Sequence, residues 1–165
     1  MSKILTLEDA KDSLTAHVAT RGAEIHAKFG PVIGWSQLQA ILADRAAVRY
    51  PCELVFDGEP LLEGECAFPV PLGATPEEGF RLCIHPFFAT SPSRVPLLAL
   101  YQVVAINYGS FASSEDAEAF GAAVLGLGRE EYYEELCAMA DEIAPDPPAG
   151  ENPGEASGCH CGGGA

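Results

Sequence analysis

The chain has 165 residues, 48% of them apolar, and a formal net charge of −15 at pH 7; this is material for one domain with a core, burying roughly 70% of its extended surface. The net negative charge lies mostly toward the C-terminus, where residues 105–165 hold twelve acidic side chains against the single basic residue Arg129 and so carry −11 of the −15. Such a surface repels phosphate backbones and anionic headgroups, which argues against nucleic acid and membrane as direct partners and favours a cation or a basic protein surface.

Thr6-Leu7-Glu8-Asp9 reads as a capping start, and Leu7, Ala10, Leu14, Val18, Ile25 and Phe29 follow at helical spacing until Gly30-Pro31 stops the run. A second capping box, Ser36 with Gln39, opens a short helix with Leu38, Ile41 and Leu42 on one face, expected to end near Ala47. The period then changes to two. Cys52, Leu54 and Phe56 alternate with Glu53, Val55 and Asp57, Asp57-Gly58-Glu59-Pro60 supplies a turn, and Leu62, Gly64, Cys66, Phe68 and Val70 alternate again, predicting a hairpin. Phe80, Leu82 and Ile84 predict a third strand, and the three together a short antiparallel sheet.

Ser91-Pro92 fits an N-cap with proline at the first helical position. The run beyond it, 95–108, is apolar nearly all round and predicts a central buried helix; its most apolar stretch, about 12 residues, is well short of the ~20 that a membrane span needs. Ser113 with Asp116 caps a helix carrying Phe120, Val124 and Leu127. Gly126 and Gly128 separate it from a last helix with Tyr133, Leu136, Cys137, Ala140 and Ile143 on one face. Helices, three strands, then helices give an α+β domain over 1–143, with N-terminal helices and with C-terminal helices packed on the sheet. Residues 144–165, rich in proline, glycine and acid, read as a flexible, disordered tail.

The tail ends in Cys159-His160-Cys161, two thiols and an imidazole side by side. Thiolate and imidazole suit zinc, copper(I) or nickel, whereas magnesium and calcium want oxygen. Neighbouring side chains diverge, so this set alone is incomplete, which favours metal transfer by ligand exchange over storage. A second candidate is Cys83 with His85: the two-residue step puts thiol and imidazole on one strand face, as an activated nucleophile or half a metal site, unless both faces of the sheet are covered. Cys52, Cys66 and Cys137 read as buried structural cysteines. His17 and His26, nine residues apart, fall on nearly opposite sides of the first helix and form no two-histidine metal face.

No His-Glu-x-x-His, phosphate-binding Gly-Lys loop, Gly-x-Ser-x-Gly elbow or paired Cys-x-x-Cys occurs, and Glu130, Glu131, Glu134 and Glu135 read as a solvated helix face. The N-terminus shows no apolar export signal, so six cysteines are expected as reduced thiols in a cytosol. The expected function is a cytoplasmic, non-enzymatic accessory protein that docks on a protein partner and presents Cys159, His160 and Cys161 to a transition metal. The alternatives are a small thiol enzyme using Cys83 and His85, or a plain interaction module with an incidental tail; self-association stays open.

Overall fold

The computed structural model describes residue 4 and residues 6–144; the expectations placed on 145–165, including the tail and its Cys159-His160-Cys161 cluster, lie outside the described residues. Helix α1 (Leu7–Phe29) starts as expected: Thr6 Oγ1 accepts the Asp9 N–H (3.1 Å) and Asp9 Oδ2 accepts the Thr6 N–H (3.0 Å). Helix α2 (Trp35–Ala43) starts earlier than the Ser36–Gln39 box predicts. Its N-cap is Gly34, whose N–H donates to Gln37 Oε1 at 3.1 Å, and Ser36 lies inside the helix. It also ends earlier, because Asp44 Oδ1 accepts the Ala46 N–H (2.9 Å) and turns the chain out of the helix.

Strands β1 (Cys52–Phe56), β2 (Ala67–Pro71) and β3 (Phe80–Ile84) form a mixed sheet in the order β1-β3-β2. Here the expected antiparallel sheet and hairpin are corrected: β1 does not pair with β2, β3 runs parallel to β1 with Leu54 opposite Leu82, and β2 pairs with β3 antiparallel. The reason lies in the prolines. Strand β2 contains Pro69 and Pro71, which lack the N–H a central strand must donate on both sides, so it is confined to an edge. Strand β3 has no proline and takes the centre, with Leu82, Cys83 and Ile84 fully buried. The expected turn at 57–60 is present, with the Leu61 N–H donating to Gly58 O, but residues 62–66 make a further turn where alternation suggested strand: the Glu65 N–H donates to Leu62 O and the Leu62 N–H to the buried Glu65 carboxylate at 2.9 Å.

A 3-10 turn, Pro92–Arg94, precedes α3 (Val95–Tyr108), which buries eleven of its fourteen residues and touches α2, β2, β3 and the two helices that follow it. At roughly 1.5–3 kcal/mol for each fully buried Val or Leu, this helix is the centre of the core. Helix α4 (Ser114–Leu125) is capped by Ser113 and Asp116 as expected and ends on Gly126 in the left-handed conformation (φ 70°), where the Leu127 N–H returns to Ala122 O. It lies close on α1 because Gly22 has no side chain; a Cβ there would stand 2.7 Å from Ala123 Cβ. Thr15 Oγ1 donates to Asp116 Oδ1 (2.6 Å) across the same contact.

Helix α5 (Arg129–Ile143) buries Tyr132, Leu136 and Met139, one register away from the expected Tyr133 stripe; Tyr133 is 39% exposed. Tyr132 takes the inner place because its ring fills the space left by Gly121 and its hydroxyl donates to Leu97 O at 2.6 Å. Among the described residues no helix is long and apolar enough to cross a membrane.

Candidate functional site

Two places in the described fold collect chemically capable side chains. The first is the predicted pair on β3. Cys83 lies on the sheet face that carries the exposed Arg81–Glu53 pair, yet it is itself fully buried between the half-buried Val55 and Phe68 of the flanking strands, and its Sγ donates to Arg81 O at 3.8 Å. His85 stands just past the strand, where its Nδ1 accepts the Phe87 N–H (3.1 Å) and its ring meets Phe88 edge-on. Each group is thus engaged with a partner other than the other. Burial pushes the Cys83 thiol above its usual value, the Asp57 charge adds to that, and Arg81 opposes it. Cys52, half-buried at the start of β1, is pushed up to about 11, again chiefly by burial. A thiol of that pKa is thiolate in only about one molecule in ten thousand at pH 7.

The remaining cysteines divide. Cys66 is buried and, like Cys52 and Cys83, holds a thiol. Cys137 on α5 is disulfide-bonded, which corrects the expectation of six reduced thiols. Among the described residues no group of three or more His, Cys, Asp or Glu side chains could hold a metal ion. His26 is tied to the end of α4, Nδ1 against Val124 O at 2.9 Å, while His17 is exposed on the other side of α1.

The second place was not expected. A cleft of about 270 Å³ opens between α1, the turn after α2 and the C-terminal end of α3, lined among others by His17, Arg21, Arg45, Arg49, Asn107 and Tyr108. The buried Asn107 holds the turn in place: its Oδ1 accepts the Arg49 N–H and its Nδ2 donates to Ala47 O, both at 2.9 Å. Arg21 pins the turn from the other side by donating to Ala46 O. The Arg49 guanidinium lies over the Tyr108 ring, 4.7 Å from its centre, and the His17 ring meets Tyr108 edge-on at 6.0 Å.

The basic side chains of the described fold are unequal in their pairing. Arg81 pairs with Glu53, Arg94 with Glu142, Arg129 with Glu118, Lys28 with Asp44 and Arg21 with Glu24. Among the described residues Arg45 and Arg49 face no carboxylate within ion-pair distance, although acidic residues outnumber basic ones by 24 to 9 in the chain. One signal in the sequence pointed here: six of the nine basic residues fall within the first 49 positions. Comparison with protein-family models, with curated proteins and with solved structures yields no match.

Proposed function

We propose that this chain is a non-enzymatic, cytoplasmic accessory protein that docks on a protein partner and uses Cys159, His160 and Cys161 to bind and hand on a transition metal: zinc, copper(I) or nickel. The observation that supports this reading over a thiol enzyme is the state of Cys83: fully buried, bonded to Arg81 O and raised in pKa. A nucleophilic cysteine needs thiolate character and access, and Cys83 has neither. The soft ligands left to do chemistry then lie in the 145–165 segment, where a two-thiolate, one-imidazole set leaves room for a ligand from a partner.

Cys137 favours a second reading. Its disulfide marks a cysteine of this chain as oxidised, and only thiolates ligate metal, so oxidation of Cys159 or Cys161 would compete with metal capture. Native mass spectrometry of the reduced full chain, titrated with each of the three metals, tests the main reading. One equivalent should bind, and Cys159→Ser with Cys161→Ser should abolish it while leaving the fold unchanged. Unaltered binding in the double variant refutes the tail as the site. Metal capacity that stays the same without reductant refutes the competition, and rapid alkylation of Cys83 in the folded chain revives the enzyme.

A further inference from the structure

The cleft beside Tyr108 carries an inference independent of the metal reading. We infer that it is a binding site for a small oxyanion, a phosphate or carboxylate group, gripped by Arg45 and Arg49. A guanidinium carries five N–H donors in a fork that matches two oxygens of either group. Arg45 spends one donor on Leu42 O (3.3 Å) and Arg49 one on Asn107 O, a long bond of 3.4 Å, so both keep most of their donors. These arginines lack the carboxylate that pairs every other described arginine.

Nearby acid is already engaged. Glu24 is held by Arg21 at 2.6 Å, and Asp44 by Lys28 at 2.7 Å and the Ala46 N–H. The site is also preorganised. Asn107 fixes the Arg49 backbone, the Tyr108 ring supports the Arg49 guanidinium, and Arg21 ties down the turn between them. Preorganisation lowers the ordering entropy that flexible surface arginines lose on binding. The C-terminal carbonyls of α3 oppose an anion, which is why the donors on the turn matter more than the helix end.

Size and charge select the ligand. At about 270 Å³ the cleft falls below the roughly 300–1,000 Å³ of sites for larger ligands, and it suits a phosphate or a short carboxylic acid. The chain's net charge of −15 repels an extended polyanion, whose many charges lie outside the reach of two arginines.

The test is calorimetric titration of the full chain, at low salt with a metal chelator present, with inorganic phosphate and separately with succinate. Amide shifts should locate the bound ion. Saturable binding of one probe should shift amides at Arg45–Arg49 and Asn107–Tyr108, and the tighter probe identifies the group. Arg45→Gln and Arg49→Gln should each weaken it about tenfold or more, as expected for losing a charge-assisted bond. Arg94→Gln removes the same charge at the far end of α3, about 20 Å away, and should leave binding unchanged. Should Arg49→Gln fail to fold, Arg45→Gln alone carries the test, since Arg45 is exposed and makes one long bond, to Leu42 O at 3.3 Å. No saturable binding of either probe, shifts elsewhere, or an equal loss in Arg94→Gln overturns the site.

Discussion

Asn107→Ala removes the side chain that joins the turn of residues 44–49 to α3. Two hydrogen bonds disappear, and their former partners differ in what replaces them. Ala47 is 5% exposed, so its carbonyl stays buried without a donor, at about 1–3 kcal/mol. Arg49 is exposed, so water can reach its N–H and only the net bond is lost, about 0.5–1.5 kcal/mol. The sum is about 1.5–4.5 kcal/mol, or a fall in Tm of roughly 3–18 °C for a chain of this length. Urea denaturation at constant m-value reads the change directly. Because Arg49 loses its anchor, oxyanion binding should weaken in the same variant. A loss below about 0.5 kcal/mol would show that the turn is held by other contacts, and would refute both the energetic assignment and the preorganised cleft.

Gly121→Ala places a Cβ 2.4 Å from the ring of Tyr132, which is fully buried and fixed on Leu97 O, so the ring has no free direction; a loss of about 1–3 kcal/mol or more is expected in thermal melts. Gly128→Ala, with nothing within 4 Å and an ordinary φ of −66°, should stay within about 0.5 kcal/mol, and equal losses at the two sites would refute the packing argument. The hydrogen bond from Lys28, with that of the Ala46 N–H, holds the Asp44 carboxyl below its ordinary 3.8. The folded-state value is the depressed one, so the stabilisation is present above the unfolded value and lost as pH falls through the folded one. Urea melts should therefore show the gap between wild type and Lys28→Met shrinking as the pH is lowered past 3.8; a gap independent of pH would assign it to the Lys28 contact with the Phe29 ring.

Local signals carried most of the helices. The Thr6–Asp9 and Ser113–Asp116 boxes involve side chains three residues apart, so the sequence alone states the bond, and the structure has both. The apolar run of α3 announced burial on every side, because no stripe of polar residues offers it a solvent face. Where two equivalent patterns competed, sequence was insufficient. Alternation in 52–56 and 62–70 is the same for neighbours as for strands separated by a third; the prolines of β2 held the answer, in their demand for an edge. Tyr132 and Tyr133 are equal candidates for the core until Gly121, on another helix, supplies the space for one of them.

Pairing is what the sequence could not express. The step from Cys83 to His85 was legible, but the neighbours that bury Cys83, Val55 and Phe68 on the flanking strands, come from other segments and turn a reactive pair into a buried thiol and a turn residue. Arg45 and Arg49 sit about sixty positions from Asn107 and Tyr108, and no periodicity links them. The sequence by itself determined the helices, the buried centre, the overall acidity and the Cys-His-Cys run at 159–161, since each is a property of neighbouring residues. The tertiary structure alone decided strand order, the fate of Cys83 and the arginine cleft, because each depends on which remote surfaces exclude water together.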